Sequence, residues 1–138
     1  MCVFCDIATG SLEAHVVFEN DVSLAFLDHR PLFPGHSLLI PRAHHETLAD
    51  LPDELVAPMF AGARLLSSAI PKAMEAVGSF VAMNNIVSQS VPHFHVHIVP
   101  RRPKDGLRGF FWPRMKYKDG EAEMAEVAAS IRAVVAAS

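Results

Sequence analysis

The sequence alternates imidazole with apolar side chains in the stretch HFHVHIV, residues 93–99. Because successive side chains of a strand point to opposite faces of the sheet, this period predicts a β-strand over 93–99. The three histidines would then share one face, while Phe94, Val96 and Ile98 would point into the core. A shift of one residue in register would bury the imidazoles, so the pattern fixes which face is inside.

The spacing of a strand limits what the three imidazoles can do together. Neighbours on one face lie about 6.6 Å apart along the strand, and the outer pair lies about 13 Å apart. Two neighbours could share a zinc ion with bonds of about 2.0 to 2.1 Å, but three could not easily do so. Neutral imidazole is a nucleophile and proton carrier near pH 7. The row therefore suits attack on an electrophile such as phosphorus, with an incidental surface cluster or a metal-binding strand as alternatives.

Composition excludes several classes of protein. The chain has 138 residues, of which 51% are hydrophobic, so one domain with a buried core is expected. A net charge of -3 argues against a nucleic-acid partner, although not against a single bound nucleotide. Two cysteines are too few for a disulfide-stapled secreted fold. No apolar run reaches the roughly 18 residues of a membrane span, so we expect a cytoplasmic protein with no membrane partner.

The remaining pattern predicts an α+β fold. Asn20 and Asp21 form a turn signal between two short apolar runs, which predicts a hairpin. Pro71 is expected to end or bend the long helix near residues 69–70. The predicted strands are 16–19, 22–27, 37–40, 80–83 and 93–99, and the predicted helices are 52–70 and 121–136.

Five segments, in order along the chain, resemble the histidine triad (HIT) family. The stretch at 93–99 matches the family motif His-φ-His-φ-His-φ-φ, where φ is apolar. The other matches are residues 2–5, 25–28, 34–44 and 89–92. The resemblance covers roughly residues 2–102 of a single domain of residues 1–138, and it leaves the tail 104–138 uncovered. It implies a HIT-like fold, an antiparallel sheet of about five strands with one long helix and a C-terminal helix.

The resemblance implies an enzyme that binds a purine nucleotide. Such proteins cleave a nucleoside monophosphate from a phosphoramidate, a dinucleoside polyphosphate or an acyl-adenylate through a nucleotidyl-histidine intermediate. The alternatives are a nucleotidyltransferase or phosphorylase of the same superfamily, and a zinc- and nucleotide-binding regulatory module. His97 stands where a glutamine would mark the transferase branch, which favours hydrolysis. Family members of this size pair as homodimers with the helix over 52–70 at the interface.

The resemblance also assigns roles to individual residues. His95 would be the nucleophile, and His97 would bind the phosphate and help to protonate the leaving group. Asp28 would accept hydrogen bonds from the ribose hydroxyls. The further nucleotide-binding residues would be Asn84, Asn85, Gln89, Ser90 and His36, with His36 behind the triad. The aromatic residues 110–112 would cover the base or the partner subunit's site, or would pack beneath the last helix.

Cys2 and Cys5 form a Cys-x-x-Cys pair, which is typical of half a zinc site or of a redox pair. A redox pair usually opens a helix in a βαβ unit, which is missing, and two free thiols are the remaining alternative. A closed zinc site needs two more ligands, and the resemblance supplies His44 and His93, with His45 as a competitor for His44. We therefore expect a structural zinc ion and no organic cofactor.

Overall fold

The fold is a five-stranded antiparallel sheet flanked by helices, in a computed structural model that describes residues 1–108 and 113–138. The spatial order of the strands is β1-β2-β3-β5-β4. This arrangement confirms the expected α+β fold. The strands are β1 (Val16–Glu19), β2 (Ser23–Leu27), β3 (Ser37–Pro41), β4 (Gly78–Ala82) and β5 (Val96–Arg101). The helices are α1 (Val3–Thr9), α2 (Asp53–Ala73) and α3 (Gly120–Ala136), with a short 3-10 turn at Leu48–Asp50.

The turn between β1 and β2 forms where Asn20 and Asp21 predict it. The side-chain oxygen of Asn20 accepts hydrogen bonds from the N–H groups of Val22 at 3.0 Å and Ser23 at 2.8 Å. Asparagine side chains that bond the backbone two residues ahead stabilise tight turns. The hairpin fixes β2, whose last residue immediately precedes Asp28.

The two central strands β2 and β3 are buried along their whole length because both faces of the sheet are covered. On one face, Leu27 and Leu39 belong to a core that includes residues of α2 and α3. On the other face, Phe26 and Leu38 belong to a second core that includes Phe4 of α1. A short N-terminal helix thus excludes water from the side of the sheet opposite α2.

Helix α1 is a feature that the sequence analysis missed, since it predicted only short strands in the N-terminal part. The helix ends at Gly10, which has φ +83 and donates its N–H to the carbonyl oxygen of Ile7 at 3.1 Å. A helix of 7 residues is not stable alone in water. Its order therefore comes from Phe4 and Ile7, which pack on the sheet.

Helix α2 continues through Pro71 to Ala73, so the expected end near residues 69–70 is wrong. A proline removes one donor from the helical hydrogen-bond ladder. Here that loss falls in the last turn, and Pro71 is buried together with Leu66 and Ile70. Packing of this final turn outweighs the missing hydrogen bond.

Strand β5 begins at Val96, so the predicted strand over 93–99 starts too early. The N–H of Phe94 donates instead to the carbonyl oxygen of His45 at 2.6 Å. His93 and His95 consequently lie before the regular strand, although their rings stay on the side opposite Phe94.

The imidazoles lie on the side opposite Phe94, Val96 and Ile98, as expected, but that side is buried as well. Phe94, Val96 and Ile98 are buried as predicted. The other side is covered as well, because the ring of Phe4 packs edge-on against His93 and His95. The exposed fractions are 0% for His93, 3% for His95 and 4% for His97.

The tail beyond residue 104 contributes to the core. Met124, Ala128 and Ile131 of α3 are buried with residues of α2, and the hydroxyl of Tyr117 accepts a hydrogen bond from the N–H of Gly35 at 2.8 Å. Within the described ranges, none of the helices combines the length and apolar character that a membrane span requires.

Gly35, which precedes His36, occupies a position that tolerates no side chain. Its φ is +97, and an added Cβ would lie 2.7 Å from Cγ of Met74. Gly10 has φ +83 but nothing within 4 Å of such a Cβ. Both alanine variants lose about 1 to 2 kcal/mol from the left-handed backbone, but Gly35→Ala should lose about 1 to 3 kcal/mol more through overpacking. Urea unfolding should show a lower midpoint for Gly35→Ala; equal midpoints would contradict the close approach.

Candidate active site

The three histidines of the motif divide into two groups. The rings of His95 and His97 have centroids 4.9 Å apart, whereas the ring of His93 lies 5.0 Å from that of His44. His97 lies in β5, whereas His93 and His95 precede it. His95 and His97 thus lie side by side, and His93 lies near Cys2 and Cys5.

His95 presents an unprotonated ring nitrogen. Its Nδ1 lies 2.7 Å from the carbonyl oxygen of His93. Because a carbonyl oxygen accepts but never donates, Nδ1 carries the proton and Nε2 of the neutral ring carries a lone pair. Burial lowers the pKa of His95 below 6.5, which favours this neutral form. The ring of Phe4 packs edge-on at a centroid distance of 5.1 Å and restricts the orientation of the imidazole.

His97 is oriented by a histidine behind it. The N–H of Leu32 donates to Nδ1 of His36 at 2.9 Å, so Nε2 of His36 carries the proton and donates to Nδ1 of His97 at 2.9 Å. Nε2 of His97 consequently carries the remaining proton as a donor. Burial lowers the pKa of His36 to about 3 and that of His97 to about 2. His36 is fully buried behind His97 and does not line the cleft described below.

A cleft of about 840 Å³ opens beside His95 and His97. It crosses the sheet from β5 over Leu38 of β3 and Phe26 of β2 to residues 12–15, which precede β1. Three strand spacings make this path about 14 Å long. Helix α1 forms one wall of the cleft. The polar lining residues include Asp28, Ser90 and Arg114.

Asp28 is held in place by two donors at the end of β2. Its Oδ1 accepts the N–H of Arg30 at 2.9 Å, and its Oδ2 accepts Nη1 of Arg114 at 2.9 Å. The side chain is 11% exposed and lines the cleft. Nε2 of His36 lies 3.8 Å from Oδ2, which is beyond hydrogen-bond distance. The carboxylate is therefore a fixed acceptor that lines the cleft close to His97.

The structure brings Ser90 to the cleft but not Gln89. The side-chain amide of Gln89 accepts the N–H of Ile86 at 2.9 Å and donates to the carbonyl oxygen of Glu46 at 2.6 Å. These bonds tie the loop before the triad to the segment before α2. Gln89 thus shapes the loop that carries Ser90.

Asn84 and Asn85, also expected on the phosphate side, are not among the described residues that line the cleft. Asn85 accepts the N–H of Leu48 at 2.7 Å, and Asn84 donates to the carbonyl oxygen of Ser88 at 3.2 Å. Both amides thus hold the loop over 84–90, and the structure gives neither a contact with the imidazole pair.

A second cluster joins Cys2, Cys5, His44 and His93, whose ligand atoms all lie within 4.8 Å of one another. The Sγ atom of Cys2 is 3.4 Å from Nδ1 of His93, and that of Cys5 is 3.3 Å from Nδ1 of His44 and 3.6 Å from Nδ1 of His93. Tetrahedral zinc bonds of about 2.0 to 2.3 Å separate neighbouring ligand atoms by about 3.3 to 3.8 Å. The four residues therefore fit zinc, and His45 is not part of the cluster.

The tautomer of His93 also suits a metal ligand. Its Nε2 donates to the carbonyl oxygen of Pro41 at 2.8 Å, so its Nδ1 turns a lone pair toward the two thiols. Metal-bound histidines usually make such a bond with their other nitrogen, which fixes the ring.

The ligand atoms of Asp28, His36 and His97 also lie within 4.8 Å of one another. Here the facing nitrogens of the two histidines share a hydrogen bond, and the carboxylate is paired with Arg114. These atoms are engaged with a proton and a guanidinium, which a metal ion would have to displace.

Sequence reasoning missed two contributors to the cleft, Phe4 and Arg114. Phe4 lies between the two cysteines of the candidate metal motif. Its apolar side chain could have indicated that this segment packs against the sheet. Arg114 lies in the tail that the resemblance does not cover, where no motif marks it. Residues 110–112, expected to cover the base, the partner's site or the underside of the last helix, lie outside the described residues.

His95 and His97 are neighbouring neutral imidazoles in the stretch that resembles the histidine triad, and sequence comparison identifies the family. The model of the HIT domain matches residues 9–104. The chain therefore belongs to the HIT family, as the resemblance implied.

Named relatives include two enzymes. The chain is 40% identical over 108 residues to adenylylsulfatase HINT3 of Arabidopsis thaliana, covering 77% of this chain and 55% of the relative. It is 35% identical over 114 residues to adenosine 5'-monophosphoramidase HNT1 of Saccharomyces cerevisiae, covering 81% and 70% respectively.

The fold is also that of solved family members. A Zn-bound histidine triad family protein from Mycobacterium smegmatis superimposes with a TM-score of 0.86 at 35% identity. The match covers 99% of this chain and 94% of that chain, so it includes the tail that carries α3.

The buried neutral histidines predict a loss of stability in acid. His36 and His97 titrate far below 6.5 when folded, whereas an unfolded histidine keeps a pKa of about 6.5. Below that pH the unfolded chain therefore binds more protons, and stability falls as the pH falls. In chelator, His36→Gln should reduce the slope of unfolding free energy against pH by about 1 kcal/mol per unit between about pH 6 and pH 4.5. The slope should stay unchanged in the control, His29→Gln at an exposed position, and a steep slope in His36→Gln would contradict the role of His36.

Proposed function

We propose that the protein is a nucleotide hydrolase that cleaves a nucleoside monophosphate from its leaving group through a covalent intermediate on His95. The observation that carries this proposal is the hydrogen bond from Nδ1 of His95 to the carbonyl oxygen of His93, which leaves the Nε2 lone pair beside His97. Covalent catalysis of this kind replaces one difficult displacement by two easier ones.

The chemistry follows from the protons already assigned. In the first step, Nε2 of His95 bonds to phosphorus and the bond from phosphorus to the leaving group breaks. Nε2–H of His97 donates a hydrogen bond to a phosphate oxygen or to the departing atom, and the leaving group takes its proton from solvent water. In the second step, water attacks phosphorus, loses a proton and releases the imidazole with a nucleoside monophosphate. Ser90, on the same cleft, supplies a further hydroxyl for the phosphate.

The cleft fits a nucleotide laid across the sheet. With phosphorus at His95, the ribose comes near Asp28, whose carboxylate can accept hydrogen bonds from its hydroxyls. The base would then rest on the apolar wall that includes Phe26 and Leu38. The path of about 14 Å is comparable to the length of an extended nucleotide.

The substrate class is a purine nucleoside monophosphate joined to an amine, a phosphate, an acyl group or a similar leaving group. The names of the two enzyme relatives, an adenylylsulfatase and an adenosine 5'-monophosphoramidase, support the adenosine part of this assignment. The two names differ in the leaving group, sulfate in one and an amine in the other, and share the adenosine nucleotide. This agrees with a site whose fixed groups contact the nucleotide part.

The variant His95→Ala tests the proposed chemistry. Its turnover of adenosine 5'-phosphoramidate should fall by at least about a thousandfold, because the nucleophile is lost. It should still bind AMP in calorimetry, since the cleft walls and Asp28 remain. His45→Ala, outside both the cleft and the metal cluster, is the matched control. Unchanged turnover in His95→Ala would exclude this mechanism. A second test separates a hydrolase from a phosphorylase: when inorganic phosphate is added to the wild type, no nucleoside diphosphate should form. AMP binding by the wild type without any turnover would favour a binding module.

We also propose that Cys2, Cys5, His44 and His93 hold a structural zinc ion. The support is the fit of their donor atoms to a tetrahedron. Zinc would supply four bonds that pin α1 against the sheet, and Phe4 lies between the two cysteines. The ion would thus stabilise the cleft wall that packs on His95.

Metal analysis of paired variants tests the zinc site. Wild-type protein should contain about one zinc per chain, because the cluster offers one tetrahedral ligand set. Cys5→Ser and His44→Ala should lose the metal and unfold at lower temperature, whereas His45→Ala should keep both metal and stability. Zinc retained in His44→Ala, or lost in His45→Ala instead, would contradict the ligand set.

We further propose a homodimer in which two β4 strands pair and extend the sheet. β4 is an edge strand, and its Val81 is 42% exposed. Val77 beside it is 79% exposed, and Val56 and Phe60 on α2 are 40% and 42% exposed. An open edge flanked by apolar side chains favours association with another strand.

A further inference from the structure

Arg114 is a cation placed in an otherwise acidic cleft. Among the described residues that line the cleft, it is the single lysine or arginine, and the carboxylates there are Glu13, Asp28 and Glu121. It lies outside residues 9–104, the part that matches the HIT domain. Family membership therefore assigns Arg114 no role, and its contacts must supply one.

The guanidinium is held against the turn that follows β2. Nη1 of Arg114 donates to the carbonyl oxygen of Arg30 at 2.7 Å and to Oδ2 of Asp28 at 2.9 Å. The next residue is fixed as well, since the N–H of Met115 donates to the carbonyl oxygen of Pro31 at 2.8 Å. These bonds attach the tail directly to the segment that carries Asp28.

The two donors to Asp28 leave acceptor capacity on each oxygen. Oδ1 takes the N–H of Arg30 and Oδ2 takes Arg114, while a carboxylate oxygen accepts about two hydrogen bonds. One acceptor position per oxygen thus remains, and the vicinal 2′- and 3′-hydroxyls of ribose can occupy both. A carboxylate fixed at both oxygens does not lose rotational freedom when the diol binds, so the diol binds more tightly.

We propose that Arg114 is a positioning residue that orients Asp28 for the ribose diol and thereby makes the site selective for ribonucleotides. The role rests on the proposed function, because it requires a nucleotide in the cleft with its ribose at Asp28. Arg114 acts on the ribose through its hydrogen bond to Asp28.

Calorimetry with two ligands and a pair of charge-matched variants tests this role. The ligands are AMP and 2′,3′-dideoxy-AMP, which differ at the diol alone. Arg114→Gln should weaken AMP about tenfold, the usual effect of losing one charge-assisted hydrogen bond, and leave the dideoxy compound within about twofold. The control Arg108→Gln removes the same charge from an exposed position of the same tail and should alter neither affinity.

Two further measurements separate positioning from a general structural effect. Arg114→Lys keeps the charge with a single ammonium, so it should recover part of the AMP affinity. Asp28→Asn should lose the preference for AMP, and adding Arg114→Gln to it should cause no additional loss, because the two residues act as one unit. In turnover of adenosine 5'-phosphoramidate, Arg114→Gln should raise KM and leave kcat nearly unchanged.

Each contrary result has a distinct meaning. Equal weakening of both ligands by Arg114→Gln, or no weakening, would overturn the role in ribose selection. Tighter AMP binding by Arg114→Gln would also overturn the role, because it would show that the guanidinium blocks the nucleotide site. Wild-type protein that binds neither nucleotide would overturn the proposed function itself, and this role with it.

Discussion

The site depends on one hydrogen bond, from Nδ1–H of His95 to the carbonyl oxygen of His93. It sets the tautomer of His95, the proposed nucleophile, and holds its ring. In a regular strand, side chains stand perpendicular to the sheet while carbonyls lie within it, so a side chain would not reach the carbonyl two residues back. The late start of β5 at Val96 therefore permits this hydrogen bond.

His93 connects the nucleophile to the cysteine cluster. Its carbonyl oxygen accepts from His95, while its ring turns Nδ1 to Cys2 and Cys5. Phe4, between those cysteines in the chain, packs against both His93 and His95. A disturbance of the cluster would thus reach the nucleophile by two routes, one through the backbone and one through an aromatic contact.

The sequence predicts the sheet, the long helix and which histidines lie near the cleft. These features follow from hydrophobic periodicity and a short motif, which are local properties of the sequence. The buried partners Phe94, Val96 and Ile98 follow from the same alternation. It does not predict α1 or the extension of α2 through Pro71, since packing with distant residues decides both. For the same reason it does not predict that the Gln89 amide donates to the carbonyl oxygen of Glu46.

The short helix α1 and Arg114 lie at opposite ends of the chain, and both fall almost wholly outside the matched segment 9–104. That segment contains His95, His97, Asp28 and Ser90, the groups that would act on the nucleotide. The reactive groups thus lie within the matched segment, whereas α1 and Arg114 add parts of the cleft wall from outside it. Changes in the two flanking stretches would therefore alter one part of the cleft wall and leave His95, His97, Asp28 and Ser90 in place.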